Sequence, residues 1–281
     1  MFTSGDAPVQ FLNSTPGGRS KTLSTTRMQL RAAAATEKGR GRERNEDAYV
    51  LQVAQGLFVV CDGMGGTSAG DVASQMVAAT LLHERQELER VSTPGLYHGN
   101  DSPPRGWLAD AVRKSNLVIY SDGQQNPARR EMGATVVSAW LQGDIASVAS
   151  VGDSRAYLWR DNRFETLTHD HTLFEALAHE GLDVSREELP EDPRDILLRV
   201  VGGEPDVEVD VVDVPIRSGD YLVLCTDGLT RIVSDPMVSA SIARLRDPQR
   251  ICDHLVRTAT ESGGTDDVTV LIVEIVETGA I

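Results

Sequence analysis

Cysteine is scarce in this sequence. The chain of 281 residues contains only Cys61, Cys225 and Cys252, which lie far apart. An odd number at such spacings argues against a disulfide framework of the kind found in small secreted domains, and it matches no zinc motif. Because Cys61 and Cys225 each end an apolar run, we expect buried free thiols in a protein of a reducing compartment.

Basic residues and long apolar runs are also lacking. Lys and Arg number 27 against 42 Asp and Glu, so the formal net charge is −15 and the pI is near 4.8. Nucleic acids and anionic lipid surfaces both select basic proteins, so neither partner is expected. No charge-free run approaches the roughly 18–20 residues that span a bilayer, and the first residues, MFTSGD, do not resemble a signal peptide. We therefore predict a cytoplasmic protein without a membrane partner.

The rest of the composition is that of a folded globular protein. Hydrophobic residues make up 40% and charged residues 25% of the chain, which is too apolar for disorder and sufficient for a sizeable core. Residues 1–27 differ because they are rich in Gly, Ser, Thr and Pro and lack periodicity, which predicts a disordered N-terminal tail. A single folded domain is predicted over 28–281.

Apolar periodicity within this domain predicts an α+β fold. Runs rich in Val, Ile and Ala, bounded by Gly and Asp, predict strands at 49–53, 57–61, 135–141, 145–151, 156–159, 207–212, 221–225 and 268–276. Amphipathic patterns predict helices at 69–90, 107–120, 235–246 and 248–260. Hairpin spacings favour antiparallel pairing, and together these elements predict four layers, α/β/β/α, with the sheets inside. The charged segment 169–203 interrupts this rhythm and is predicted to be an insertion at the edge of the core.

Acidic residues recur where the predicted strands begin or end. They are Glu46, Asp47, Asp62, Asp153, Asp227 and Asp266. If the strand ends converge, the carboxylates share a small volume, and their repulsion raises their pKa values and destabilises the fold. Divalent cations relieve this repulsion, and an all-oxygen ligand set favours Mg²⁺ or Mn²⁺ over zinc. A single Asp-Gly pair is better explained as a turn, so the argument depends on the joint pattern.

Seven motifs that contain or neighbour these residues have a familiar order. They are GRGRERNED (39–47), DGMGG (62–66) followed by AG (69–70) and AS (73–74), GAT (133–135), GDSR (152–155), DHT (170–172), TDGL (226–229) and DDVT (266–269). Together they resemble the metal-dependent PPM family of serine/threonine protein phosphatases (type 2C-like), in its short bacterial form. The resemblance extends over about 28–276, nearly the whole chain beyond the predicted tail.

The resemblance implies a fold and a metal centre. The expected fold is a central antiparallel β-sandwich flanked by helix pairs, with two Mn²⁺ or Mg²⁺ ions at one end and a mobile flap at 169–203. The implied ligands are Asp62, which bridges both ions, Asp47, the Gly63 carbonyl, Asp227 and Asp266, with Glu46 acting through water. By the same resemblance, Asp153 together with Asp227 is expected to hold a third, labile ion.

The resemblance also implies a mechanism, direct attack of a metal-bridging water on phosphorus. Arg42 matches the phosphate-binding arginine of the family, and a guanidinium suits bidentate contact with phosphoryl oxygens. Without the resemblance, the run Arg40, Arg42 and Arg44 would be interpreted as a solvated strand end. Met64 replaces the histidine that many eukaryotic members carry as the acid, so we predict that a metal-bound water protonates the leaving group.

Other motifs suggest different chemistry but are weaker. Cys225 and Arg231 have the Cys-x₅-Arg spacing of cysteine-dependent phosphatases, yet Asp227 lies between them and Cys225 ends a strand predicted to be buried. The Gly-rich stretch 65–70 lacks the lysine of a P-loop and is predicted to be a tight strand-to-helix turn. The stretch that contains His169, His171 and His179 has no cysteine or fourth ligand nearby for a zinc site. A structural role is therefore favoured there, although His171 could assist at the edge of the site.

The favoured function is therefore hydrolysis of phosphoserine and phosphothreonine in proteins, opposing a partner serine/threonine kinase. A catalytically inactive scaffold with a phosphatase fold is the first alternative, and the complete set of expected carboxylates argues against it. A phosphatase that acts on another phosphoester, such as phosphotyrosine, is the second. The choice between this alternative and the favoured function depends on the shape of the site, which the sequence does not reveal.

Overall fold

The computed structural model describes residues 28–64, 69–91, 104–181 and 192–277. The predicted tail at 1–27 and most of the Gly-rich turn at 65–70 lie outside these residues. The strands are β1 (Met28–Glu37), β2 (Asp47–Gln52), β3 (Leu57–Met64), β4 (Gly133–Ala134), β5 (Val136–Gln142), β6 (Ile145–Val151), β7 (Arg155–Arg160), β8 (Arg163–Thr166), β9 (Asp210–Pro215), β10 (Tyr221–Cys225) and β11 (Val268–Glu277). The helices are α1 (Gly70–Val91), α2 (Pro104–Gln125), α3 (Leu173–His179), α4 (Asp227–Thr230), α5 (Asp235–Leu245) and α6 (Pro248–Glu261).

The strands form two sheets in which every described pairing is antiparallel. Sheet A has the order β1-β11-β10-β7-β8, and sheet B has the order β2-β3-β5-β6-β9, with β4 paired to β3. The hairpin between β5 and β6 turns at Gly143, which has a φ of 60°. This is the left-handed region that glycine adopts without strain. The expected antiparallel hairpins are therefore present.

The side chains alternate between two environments along the buried strands. On β10, Tyr221, Val223 and Cys225 pack with α5 and α6, whereas Leu222 and Leu224 face sheet B. On β3, Leu57, Val59 and Cys61 pack with α1 and α2, whereas Phe58 and Val60 face sheet A. The period of two therefore gives a core between the sheets and one core under each helix pair. The α/β/β/α sandwich predicted from the sequence is confirmed.

The structure adds elements that the sequence patterns did not predict. β1 pairs with β11 along its whole length, and β8 extends β7 as a hairpin whose turn residues Asp161 and Asn162 have positive φ angles. β9 begins three residues later than predicted, at Asp210. Helix α3 lies within the predicted insertion, and the side chain of Thr172 caps it by accepting a hydrogen bond from the Glu175 N–H.

Candidate metal centre

Two of the predicted site residues are direct neighbours in sheet B. Asp47 on β2 pairs with Asp62 on β3, where both strands reach the same end of the sandwich. Phe58 and Val60 face the gap between the sheets, so the period of two places Asp62 on that same face. The two carboxylates therefore lie at the mouth of the sandwich, between its sheets.

Sheet A supplies the other side of this site. Asp227 begins α4 two residues after the end of β10, and Asp266 comes two residues before β11. Oδ2 of Asp47 accepts hydrogen bonds from the hydroxyl groups of Thr226 at 3.0 Å and Thr269 at 2.6 Å. One carboxylate of sheet B is thus held by two side chains that flank or belong to sheet A.

Glu46 is held by hydrogen bonds on two sides. Its own N–H donates to Oδ2 of Asp267 at 2.8 Å, and its carboxylate accepts a hydrogen bond from the N–H of Gly70, the first residue of α1. Gly63 packs equally closely, because a Cβ at its position would lie 2.0 Å from the carbonyl oxygen of Gly70. Close backbone approach therefore requires glycine at this position.

These residues surround one cavity of about 270 Å³. It is lined by Arg42, Glu46, Asp62, Gly63, Met64, Thr135, Asp153, Asp195, Leu197, Asp227, Arg231 and Asp266. All the residues predicted for the site are therefore close together. Asp47 is not among the lining residues, but it lies beside Asp62 and accepts a hydrogen bond from Thr226. Asp195, Leu197 and Arg231 were not expected.

Burial and mutual repulsion raise the pKa values of the acidic residues. Burial raises the pKa of Asp47 to about 8, opposed by the two threonine hydroxyls and assisted by the charges of Asp267 and Asp227. Burial raises the pKa of Asp62 well above its usual range, and the charges of Asp47 and Asp227 add to this. Burial and the charge of Asp227 raise the pKa of Asp153 to about 7. The cluster therefore carries a charge excess that a bound cation would relieve.

Two buried oxygen atoms lack any hydrogen-bond partner in this cluster. They are Oδ1 of Asp47 and Oδ1 of Asp227. An unpaired buried carboxylate oxygen is costly, and a metal ion is one of the groups that can satisfy it. The donor set is made of carboxylate and carbonyl oxygens, which hard divalent ions prefer. The residues present therefore fit Mn²⁺ or Mg²⁺.

Guanidinium groups lie among the carboxylates. Within the described residues, no three Asp, Glu, His or Cys side chains form a closed metal cage. Instead, Arg42 pairs with Oδ1 of Asp266 and donates to Oε2 of Glu46 at 3.2 Å. Arg231 donates to Oδ2 of Asp227 at 2.5 Å. Each of these guanidinium groups thus neutralises part of the charge of the acidic cluster.

Arg231 and Asp195 are the site residues that sequence reasoning missed. Arg231 was considered only as the end of a Cys-x₅-Arg motif. Its spacing of four from Asp227 is the spacing at which residues of a helical turn face each other, and this could have revealed the ion pair. Asp195 lies in the predicted insertion, where no sequence pattern marked it.

Comparison with known proteins identifies the family. The model of the family described as Protein phosphatase 2C matches residues 36–268. The chain belongs to the protein phosphatase 2C family. This confirms the family predicted from the motifs and the predicted class of enzyme, a metal-dependent serine/threonine protein phosphatase.

Bacterial relatives of this protein phosphatase 2C cover most of its length. It is 35% identical to the serine/threonine phosphatase stp of Listeria welshimeri over 251 residues, which are 87% of this chain and 96% of the relative. It is 32% identical to the serine/threonine protein phosphatase PstP of Mycobacterium tuberculosis over 88% of this chain, but this match spans only 45% of PstP.

Solved structures support the same assignment. The catalytic domain of PstP in complex with two manganese ions is 30% identical and superposes with a TM-score of 0.76, over 89% of this chain and all of that one. The fold predicted from the sequence is therefore found in a solved structure that contains metal ions.

The alternative motifs have structural roles in this phosphatase. Cys61, Cys225 and Cys252 are free and buried, as expected, and burial raises the pKa of the Cys225 thiol to about 12. A thiol with this pKa is not a nucleophile at neutral pH. No described helix combines the length and the low polarity that crossing a bilayer requires.

His171 is bound to a loop rather than to the site. Its Nδ1 accepts a hydrogen bond from the Gly152 N–H at 3.1 Å, and its Nε2 lies 3.2 Å from Oδ2 of Asp210. Asp170 accepts two hydrogen bonds from Arg155. His171 therefore positions the loop that carries Asp153, in line with the structural role favoured from the sequence.

Proposed function

We propose that this phosphatase hydrolyses phosphoserine and phosphothreonine in proteins at the 270 Å³ cavity, by direct attack of water on phosphorus. The observation that carries the proposal is the convergence of Asp47, Asp62, Asp227 and Asp266 beside a guanidinium group, with two buried carboxylate oxygens left unpaired. The proposed metal ligands are these four residues and the Gly63 carbonyl, with Glu46 acting through water.

The chemistry requires charge stabilisation more than covalent participation. When bound, a pair of divalent ions supplies a nucleophilic water at neutral pH and offsets charge on the attacking and leaving oxygens. Asp62 lies centrally among the acidic residues. Burial is the largest cause of its raised pKa, and the charges of four neighbours add to it, which are Asp47, Asp227, Asp266 and Asp153. This central position supports Asp62 as the residue that holds both ions.

Arg42 is the proposed phosphate-binding residue. Its side chain is 41% exposed, lines the cavity and reaches Asp266 and Glu46. A guanidinium group can donate two parallel hydrogen bonds to phosphoryl oxygens, which orients the phosphorus for in-line attack. The ester bond from phosphorus to the seryl or threonyl oxygen then breaks as the new bond to the water oxygen forms.

The proton for the leaving alkoxide is proposed to come from water. Met64 lines the cavity with a side chain that has no proton to give. Among the described residues that line this cavity there is no histidine, and His171 is bound to Gly152 instead. An essential protein acid in the pH profile, traced to a histidine, would contradict this step.

Several finer assignments follow from the same chemistry. Mn²⁺ is favoured by the solved relative with two manganese ions, and Mg²⁺ is compatible with the same oxygen donors. Phosphoserine and phosphothreonine in proteins are made by protein kinases, so a serine/threonine kinase is the proposed opposing enzyme. The free buried cysteines support a cytoplasmic location.

The test compares phosphoserine, phosphothreonine and phosphotyrosine peptides with Mn²⁺, Mg²⁺ or EDTA. We expect turnover of the first two peptides with either ion and none with EDTA. Asp62→Asn should lower kcat by at least about 100-fold, as for loss of a main electrostatic stabiliser, with an unchanged circular dichroism spectrum. Asp122→Asn on α2 is the matched control, because Asp122 does not line this cavity.

Each alternative has its own outcome in this assay. Activity that survives EDTA overturns the metal mechanism, and near-normal activity of Asp62→Asn overturns the role of Asp62. Absence of turnover with every peptide favours the scaffold, and turnover of phosphotyrosine alone favours another phosphoester as substrate.

A further inference from the structure

The guanidinium group of Arg231 lies among three aspartates. Nε donates to Oδ2 of Asp227 at 2.5 Å, Nη1 pairs with Oδ1 of Asp195, and Nη2 lies 3.9 Å from Oδ2 of Asp153. Asp153 and Asp227 are only 7% and 8% exposed. A side-chain cation is therefore in contact with the two carboxylates that the sequence analysis assigned to a third divalent ion.

The local backbone fixes the direction of this side chain. Arg231 follows the last residue of α4, and its N–H donates to the Asp227 carbonyl oxygen at 2.9 Å. Leu229 and Val233 on either side are 0% and 1% exposed, so they anchor the turn in the core under sheet A. Arg231 therefore faces Asp227 at helical spacing. Because both residues belong to the same turn of the chain, the guanidinium group stays close to this carboxylate, whereas a dissolved ion must bind from solution.

Arg231 also stands at the boundary between two cavities. Besides the 270 Å³ cavity, it lines a second cavity of about 450 Å³, and the lining residues common to both are Asp153, Asp195, Asp227 and Arg231. Asp195 belongs to the predicted insertion at 169–203, and its N–H donates to the Asp192 carbonyl oxygen at 2.8 Å. The Arg231–Asp195 ion pair therefore joins this insertion to α4 at the edge of the site.

We propose that Arg231 is the built-in cation of this phosphatase at Asp153 and Asp227, in place of a third divalent ion, and that through Asp195 it fixes residues 192–198 beside the site. A divalent ion shared by Asp153 and Asp227 would lie close to the guanidinium group, whose Nε already contacts Oδ2 of Asp227, and it would meet like-charge repulsion there. Arg231 is a positioning residue, and the inference rests on the proposed centre of two ions.

The first measurement is the number of Mn²⁺ ions bound per chain, by calorimetric titration and by metal analysis. The wild-type protein is expected to bind two ions, and Arg231→Ser is expected to bind a third, weaker one. The double variant Arg231→Ser/Asp153→Asn should return to two. Arg217→Ser is the matched control, because Arg217 also pairs with an aspartate, Asp161, but lines neither cavity.

The second measurement is amide hydrogen exchange over 192–198 with Mn²⁺ present. Arg231→Ser should speed this exchange about 10-fold or more, the effect expected for loss of a charge-assisted hydrogen bond. Arg231→Lys keeps the charge but lacks the planar fork, so it should still bind two ions while exchange at 192–198 rises. Neither result is expected of a residue that only stabilises the fold.

The outcomes separate this inference from the proposed function. Three ions in the wild-type protein, with the third lost in Asp153→Asn, overturn the inference and leave the centre of two ions intact. A third ion in Arg231→Lys, or exchange at 192–198 that is unchanged in Arg231→Ser, also contradicts it. No bound ion in the wild-type protein overturns the proposed metal centre, and the inference with it.

Discussion

The backbone N–H of Glu46 donates to Oδ2 of Asp267 at 2.8 Å. The other oxygen of the same carboxylate accepts a hydrogen bond from the Gly39 N–H, also at 2.8 Å, and Asp267 is only 1% exposed. One buried carboxylate therefore holds both ends of the loop that carries Arg42. Asp267 lines neither cavity, so we expect it to affect the reaction only by positioning Arg42 and Glu46.

Replacement of Asp267 tests this positioning role. Asp267→Ala leaves two N–H groups without their partner, which should lower the free energy of unfolding by about 1–3 kcal/mol for each group that stays buried. Asp267→Asn keeps one acceptor oxygen and should cost less. Urea unfolding and phosphopeptide kinetics check both variants, with Asp122→Ala as control. A wild-type kcat/KM in Asp267→Ala would show that Arg42 does not depend on this carboxylate.

Arg42 should tolerate neither loss nor conservative replacement. Arg42→Lys keeps a positive charge but cannot donate two parallel hydrogen bonds, so kcat/KM should fall about 10–100-fold, the equivalent of one charge-assisted hydrogen bond. The kcat/KM of Arg42→Ala should be lower still. Steady-state kinetics with a phosphothreonine peptide measure both, and Arg44→Lys, whose side chain is 64% exposed and pairs with Asp71, is the control. Equal activity of Arg42→Lys and wild type would argue for a solvated arginine.

Metal ions should stabilise the fold as well as support turnover. Burial and repulsion raise the pKa values of Asp47 and Asp62, so neutralising these carboxylates favours the folded state. Mn²⁺ at 100 times its Kd should add about 2.7 kcal/mol, which corresponds to a rise in Tm of roughly 5–10 °C for a chain of this size. Calorimetry with Mn²⁺ and with EDTA measures the rise. Asp62→Asn should lose most of it, and an unchanged Tm in the wild-type protein would count against the cluster.

The stability of the protein should fall at mildly acidic pH because of His171. Burial lowers the pKa of His171, assisted by the charge of Arg199 and opposed by Asp210. Near pH 6 the unfolded state then binds more protons at this residue than the folded state, so its contribution to stability is complete above the unfolded pKa of about 6.5 and is lost as the pH falls.

The variant His171→Gln isolates this contribution. Chemical unfolding of the Mn²⁺-loaded protein between pH 7.5 and 5.5 should give a smaller slope of stability against pH for His171→Gln than for wild type. His83→Gln on α1 serves as the control for removal of a histidine. Parallel slopes for wild type and His171→Gln would mean that His171 binds protons equally in the folded and unfolded states.

The sequence predicted the fold wherever the local pattern and the tertiary environment agree. The strands 145–151 and 221–225 were placed with correct ends, because their apolar runs are almost entirely buried and each begins directly after an aspartate, Asp144 or Asp220. β1 was missed because its sequence, MQLRAAAATE, contains four consecutive alanines, which favour a helix. Its strand conformation comes from pairing with β11, a partner more than 230 residues away that no local pattern contains.

The site likewise contains residues that the sequence predicted and residues that it did not. The carboxylates were found because each ends or begins a strand, and the sandwich brings the strand ends together. Arg231 and Asp195 were missed because their relation depends on how the segment near α3 folds back over α4. The role of Asp267 depends on two backbone N–H groups, and sequence patterns of side chains do not reveal such contacts.

The pairing of β1 with β11 has a consequence for folding during synthesis of the chain. Residues 28–37 leave the ribosome early, but their partners at 268–277 come among the last of the domain, together with Asp266 and Thr269. Asp47 therefore cannot form its hydrogen bond with Thr269, and Asp266 cannot join the cluster, until β11 has been synthesised. A nascent chain that stops before Asp266 lacks both Asp266 and Thr269, so we expect no complete centre until β11 has been synthesised.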